Sequence, residues 1–278
     1  MGLSQSTYFA DPKISRAERE ELEADIRGKI EQIRCDMPGA GYRMLLPQLK
    51  QSGVGIGERR LRGILKKFGL QIRPKKRFVK TTDSKHSHEI HPNLIEEMTI
   101  TGPNQVWASD ITYIRIKNGF VYLAVILDLF SRKVIGWQVS KRIDSELTLD
   151  ALAMALSRRN PPRGVIHHSD RGVQYLCDEY TELLKRNGFY ISCSAKGNPY
   201  DNAWVESFMK TLKQNEVYMW EYETYLDVID RVPRFIEEVY NKKRPHSSLG
   251  YLSPEEFEKQ AEAAYKQKTT VGRPSVKL

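Results

Sequence analysis

Asn104 marks a change in hydrophobic period that restricts what the rest of the chain can become. After it, VWASDITYIRI, FVYLAVILDL and KVIGWQVS alternate or run apolar in strand-length blocks, joined by Lys117-Asn118-Gly119 and by a turn around Ser131. This pattern predicts a three-stranded antiparallel meander. A helix then starts near Asp144, with Glu146 in its first turn and Leu147, Leu149, Leu152 and Leu156 on one side, and ends at Asn160-Pro161-Pro162. Residues 164–168 form a fourth strand, 175–187 a helix stopped by Gly188, FYISCS a fifth strand and DNAWVESFMKTLKQ a helix. Three antiparallel strands followed by alternating helix and strand indicate an α/β fold with a mixed five-stranded sheet and flanking helices.

The chain ahead of Asn104 has a different character. Ser15-Arg-Ala-Glu18 is a capping box, and Leu22, Ile26, Ile30 and Ile33 follow at helical spacing. GYRMLLPQLKQSG and GERRLRGILKKFG read as two more short helices around the glycines of SGVGIG. Glycines 53, 55 and 57 lack a preceding strand and the GxGxxG spacing, so they mark a helix-helix turn rather than a dinucleotide site. A small all-α, helix-turn-helix-like unit is expected over 15–72, a basic linker over 73–99, the sheet-containing core over 100–220 and a C-terminal helix and tail over 221–278. His86, His88 and His91 fall in that linker without matching cysteines or carboxylates and read as solvated.

The formal charge of the 278-residue chain is +9, and residues 57–86 alone supply a surplus of that size, eleven Lys or Arg against Glu58 and Asp83. A block of that kind suits a polyanionic partner. Arg59, Arg60, Arg62, Lys66 and Lys67 on the last helix, with Lys75, Lys76 and Arg77 beyond it, are candidate phosphate contacts, and affinity for DNA should fall steeply with salt. Cys35, Cys177 and Cys193 show no CxxC spacing, which supports neither a disulfide framework nor a thiolate zinc site and fits a reducing cytoplasmic compartment. The apolar run FVYLAVIL is too short for a bilayer, so no membrane is expected.

Three carboxylates stand out. Asp110 shares a strand face with Val106, Ala108, Thr112 and Ile114, where a charge needs a partner or a metal. Asp170 ends the fourth strand, at the edge where open α/β sheets place their ligands. Glu206 lies on a helix face with Asn202, Lys210 and Lys213. Oxygen donors of this kind suit Mg²⁺ or Mn²⁺, and two such ions can activate either water or a 3′-hydroxyl for in-line displacement at phosphorus. If the first hairpin turns over 117–119, residue 110 pairs with 126 and Asp128 falls on the same face as Asp110, although a turn-stabilising role fits Asp128 better. Asp201 reads as an N-cap, and at least one of His167 and His168 as core packing.

In order, WASDITY, HHSDRGVQY, KGNPYDNAWVESF and NKKRPHSSLGYLSP resemble the catalytic core of insertion-sequence transposases of the retroviral-integrase-like superfamily, over about 100–257. Thirty-five residues separate Asp170 from Glu206, the DD(35)E spacing of that family, and GAGYR with RRLRGILKKFGL is similar to its upstream helix-turn-helix. The resemblance implies an RNase H-like fold, with Asp110, Asp170 and Glu206 as a catalytic triad binding two Mg²⁺ or Mn²⁺ ions. It also implies terminal inverted repeats and target DNA as substrates, and a homo-oligomer of at least two copies on DNA. Lys210 and Lys213 would then hold phosphates, Lys196 and Gly197 a loop over the DNA, and Pro245, His246, Gly250 and Pro254 a C-terminal clasp. Family members of this downstream reading-frame type are commonly fused to a shorter upstream product with a zipper; zipper heptads are absent here, so that product is an expected fusion or partner. A catalytically silent DNA-binding regulator and a structure-selective nuclease of the same fold are the alternatives.

Overall fold

The computed structural model describes residues 15–72, 91–195 and 202–271, and the chain divides into two compact units at Arg73/Pro74. The first unit contains α1 (Arg16–Asp36), α2 (Tyr42–Gln51) and α3 (Glu58–Lys67). The capping box at its start forms in both directions: the Glu18 amide donates to the Ser15 hydroxyl, and the Ser15 amide donates to the Glu18 carboxylate at 2.7 Å. Ile26 and Ile30 pack inside with Leu45, Leu49, Leu61 and Ile64, whereas Leu22 stays exposed, so the buried stripe of α1 is narrower than its sequence suggests. Gly53, at a φ of 79°, makes the left-handed turn out of α2 that an L side chain resists.

In the second unit, β1 (Val106–Ile116), β2 (Gly119–Asp128) and β3 (Val134–Ser140) form the antiparallel meander. They are followed by α4 (Ser145–Arg159), β4 (Ile166–Ser169), the short α5 (Val173–Leu176), α6 (Asp178–Arg186) and β5 (Tyr190–Cys193). Next comes α7 (Ala203–Leu212), which widens into a π-turn over Lys213–Val217. Then α8 (Tyr225–Arg234) widens likewise over Phe235–Tyr240, and α9 spans Pro254–Val271. The sheet order is β3-β2-β1-β4-β5, with β4 and β5 parallel to β1. This is the mixed five-stranded sheet with flanking helices that the periodicity indicates.

Each sheet face has its own core. Val106, Ala108, Val125 and Leu127 meet Val205, Phe208, Leu212 and Val232 on one side; Trp107, Ala124 and Ile126 meet Leu147, Ala151, Tyr180 and Leu184 on the other. Burial on both faces explains why β2 is a continuous apolar run rather than an alternating one. The first core also takes in Ile95, Val228, Ile236 and Tyr240. Ile95, within the stretch expected as a linker, therefore packs on this core, as do Tyr222, Val228, Ile236 and Tyr240 of the C-terminal segment.

Gly136 lets α4 approach β3: a Cβ there would overlap the Ala151 carbonyl oxygen and come within 2.8 Å of the Ala155 Cβ. Gly136→Ala is accordingly expected to cost about 1–3 kcal/mol, measured as a lower urea midpoint. An unchanged midpoint would show that α4 can move away without loss.

The first hairpin differs from expectation by one residue. Its turn is Lys117-Asn118 alone, so Ile116 pairs with Gly119 and Asp110 pairs with Val125. Asp128 pairs with Trp107 and lies on the face opposite Asp110. There it accepts hydrogen bonds from the Asn104 and Phe130 amides at 2.7 and 2.9 Å, which fulfils the turn-stabilising role and sets it apart from Asp110.

Candidate active site

Asp110 and Asp170 meet because of strand register. The parallel pairing of β1 with β4 aligns Ala108 with His168, and two residues further the same register sets Asp110 beside Asp170. Neighbouring strands lie ~4.8 Å apart, so two carboxylates in this position share one small volume. Both line a cavity of about 220 Å³ with Thr112, Tyr113, Gly172 and Tyr175. Asp170 accepts a hydrogen bond from the Gly172 amide at 2.9 Å. A Cβ on Gly172 would press on that same carboxylate oxygen, which accounts for the glycine two residues after the acid.

Glu206 stands on α7, within electrostatic reach of Asp110. Asn202, at the start of that helix, donates its amide to the Ser109 carbonyl at 3.3 Å, tying the helix to β1 one residue from Asp110. Val205, Phe208 and Leu212 anchor the buried side of α7, leaving Glu206 and Lys210 exposed and Lys213 half-buried. The Lys213 ammonium lies 4.5 Å from the centre of the Tyr113 ring. Burial lowers its pKa and the Asp110 charge opposes that shift, so Lys213 faces the acids.

The electrostatics of the trio are unfavourable as they stand. Protein atoms surround Asp110 except where it opens to the cavity, and burial, then the Asp170 charge, push its carboxyl up to about 8, with Glu206 adding to the shift. The Ile111 amide and Lys213 pull the other way. No group of three His, Cys, Asp or Glu side chains among the described residues stands close enough to hold a metal ion. Asp110 and Asp170 are brought together; Glu206 is within electrostatic reach but points to solvent from the first turn of α7. An all-oxygen donor set in which burial and neighbouring negative charges hold a proton on one member has the chemistry of a hard-cation site, since a divalent ion relieves the repulsion that the proton otherwise relieves.

The sign of the resulting pH effect is fixed. The folded chain holds the Asp110 proton more tightly than the unfolded chain, so the linked stability is full below the ordinary value of 3.8 and is lost as pH rises towards about 8. A divalent cation binding at Asp110 would have to displace that proton. Affinity for Mg²⁺ is therefore expected to climb between about pH 6 and pH 8 and level off above, while Asp110→Asn stays flat. Calorimetric titration at several pH values decides it, and a flat wild-type profile would remove the assignment.

The residues around the acids are structural. His167 is buried between the Ser109 hydroxyl at 3.2 Å and the Tyr180 hydroxyl at 2.9 Å, and burial, with some help from His168, lowers its pKa to about 3. His168 is buried against the Ser192 and Ser194 hydroxyls. Both histidines are packing groups. Tyr175 is the site residue that sequence reasoning passed over: buried beside both aspartates, its hydroxyl is pushed well above the phenol range by burial and then by Asp110. Its only sequence signal is its place five residues after Asp170.

Of the candidate phosphate contacts, Arg59, Arg60, Arg62, Lys66 and Lys67 are exposed on α3. Arg62 stacks over Tyr42 at 5.1 Å, and Lys67 pairs with Glu23 at 2.6 Å. Lys75, Lys76, Arg77 and Lys196, like His86, His88, Gly197 and Asp201, lie outside the described residues. Among the described residues, no helix is long and apolar enough to cross a membrane.

The chain is similar to known proteins over most of its length. Models of the integrase core domain match residues 100–199 and 187–254. The chain is 37% identical over 261 residues to the insertion element IS600 uncharacterized 31 kDa protein of Shigella sonnei, covering 92% of this chain and 95% of that one. It is 36% identical over 249 residues to the transposase for insertion sequence element IS904 of Lactococcus lactis subsp. lactis (strain IL1403), covering 89% and 97%. The catalytic core domain of BIV integrase is similar at 21% identity and a TM-score of 0.45, over 59% of this chain and 99% of that one. With an integrase core matched across its sheet and close relatives aligned along nearly their whole length, the chain belongs to the insertion-sequence transposases, polynucleotidyl transferases that recombine DNA.

Proposed function

We propose that Asp110, Asp170 and Glu206 are the catalytic acids and that they hold two divalent cations, Mg²⁺ or Mn²⁺. When bound, such ions would supply Lewis-acid stabilisation of the attacking and leaving oxygens at a phosphodiester. The observation that carries this reading is the β1–β4 register, which sets Asp110 beside Asp170 in one cavity with Glu206 close enough to raise the Asp110 pKa. The chain's own groups then divide the work. Asp110 and Asp170 would hold the cations against the sheet edge, and Glu206 would complete the donor set from α7. Lys210 and Lys213 bind flanking phosphates along the same helix, while Tyr175 and Gly172 keep the aspartates in place.

In this reading the substrates are the terminal inverted repeats of the chain's own element. The enzyme nicks each end and transfers the exposed 3′-hydroxyl to target DNA. The unit spanning 15–72 grips the ends through Arg59, Arg60 and Lys66, with Lys75, Lys76, Arg77 and Lys196 as further contacts. Two ends must be held together, so at least two copies act on the DNA, with an upstream reading-frame product as a fusion or partner. Labelled element ends incubated with Mn²⁺ and a target plasmid are expected to yield joined product. Hydrolysis without joining would indicate a nuclease, and specific binding without any metal-dependent product would indicate a regulator.

A further inference from the structure

A second and larger cavity, of about 430 Å³, opens at the far end of the β1–β2 hairpin, against the π-turn that follows α7. Its chemistry differs from that of the acidic site. Phe120 and Trp220 present aromatic surface and are 45% and 44% exposed, while Arg115, Lys117 and Lys213 line the cavity as cations beside Glu221, Lys117 in a 3.7 Å pair with the exposed Glu223. Both rings are held from behind. Phe120 meets Tyr113 edge-on at 5.4 Å, and Trp220 lies 3.8 Å beneath the Arg231 guanidinium, which is fixed by a 2.8 Å ion pair with the buried Glu216. Tyr222 donates to the same carboxylate at 2.9 Å. Rings oriented before any ligand arrives, with cations around them, make a stacking platform for bases joined by phosphates.

The cavity also continues from the catalytic one. Tyr113 lines both, and Lys213 sits over that ring while facing Asp110. Tyr113 is three residues along β1 from Asp110, roughly 10 Å at the rise of a strand, a span of only a few nucleotides. A duplex end cannot insert its bases between side chains, because they are stacked and paired, whereas unpaired nucleotides can.

We propose that this groove binds single-stranded DNA, the unpaired nucleotides within a few positions of the scissile phosphate, with a base against Phe120 and Trp220 and its phosphates on Arg115 and Lys213. The inference rests on the transposase reading above and names a substrate subsite for it: the enzyme acts on ends that are frayed, not fully paired. An apolar segment of another protein would not need the three cations.

The test uses the full chain and element ends in two forms, fully paired and with three unpaired flanking nucleotides that include 2-aminopurine. The wild type should bind the frayed form about tenfold more tightly and quench the probe, and Phe120→Ala and Trp220→Ala should each remove about tenfold of that preference. Both residues are exposed, and circular dichroism confirms that the variants are folded. Metal-dependent product from variants that bind frayed and paired ends just as the wild type does would overturn the groove and leave the transposase reading intact. Wild-type quenching without any metal-dependent product would keep the groove and overturn the transposase reading. Competition by an apolar peptide but not by single-stranded DNA would assign the groove to a protein partner and also overturn the proposal.

Discussion

Asp170→Asn protein is expected to bind labelled element ends as the wild type does and to lose strand transfer by about a thousandfold or more. The size follows from the role: cation stabilisation of a phosphodiester displacement is worth several kcal/mol, and each 1.36 kcal/mol is tenfold in rate. The clean separation of binding from chemistry follows from the local structure. The carboxylate accepts the Gly172 amide in a tight turn, and an Asn side-chain oxygen accepts it equally well, so the turn after β4 keeps its shape. The substitution also removes the largest charge acting on Asp110 and should let that carboxyl fall towards its ordinary range. Electrophoretic shift and strand-transfer assays on the same preparation measure the two halves. Retained transfer would sink the assignment of the acids, and lost binding would show that Asp170 shapes the DNA surface.

The second large effect is structural. Arg159, at the end of α4, forms a short ion pair with Glu258 of α9 and lies 3.9 Å from the Asp128 carboxylate, and both acids are buried. Ser131 donates to Glu258 at 2.7 Å and Lys133 approaches it at 3.3 Å. Burial alone would raise the Glu258 pKa; the Arg159, Ser131 and Lys133 contacts together outweigh it and hold the carboxyl below its usual value. Arg159→Ala leaves two buried carboxylates without their main cation, and the expected loss is about 3–5 kcal/mol. Because a lowered carboxylate pKa contributes stability above the unfolded value of 4.5 and loses it as pH falls, the gap between variant and wild type should be widest near neutrality and narrow below about pH 4.5. Urea unfolding followed by tryptophan fluorescence at pH 7 and pH 4 reads both numbers. A variant as stable as the wild type at pH 7 would mean that water reaches this cluster.

The strands, the helix starts at Ser15 and Asp144 and the positions of Asp110 and Asp170 are legible in the sequence because each depends on local period or on a residue at a strand end, whereas the helix expected over 175–187 is two, Val173–Leu176 and Asp178–Arg186. Register is not legible in this way. Reading the hairpin turn as three residues instead of two moved Asp128 to the wrong face, since a slip of one residue inverts every side chain of a strand. Long-range partners were equally invisible: nothing near Glu258 in sequence announces Ser131, 127 residues away. The spacing of Pro245, His246, Gly250 and Pro254 becomes intelligible only in three dimensions. His246 donates its amide to the Leu252 carbonyl, Gly250 turns left-handed at a φ of 66°, and Ser253 with Glu256 caps α9, whose first residue is Pro254. The Asn202 tie to β1 and the buried Tyr175 belong to the same class, set by contacts across the sheet.

The order in which these pieces leave the ribosome imposes a timetable. The basic three-helix unit is complete by residue 72, yet the acids are spread to position 206 and the Glu258 anchor comes later still. A translation product interrupted in between would carry the exposed Arg59, Arg60 and Lys66 without the acids, and on the proposed reading such fragments would occupy element ends without cutting them.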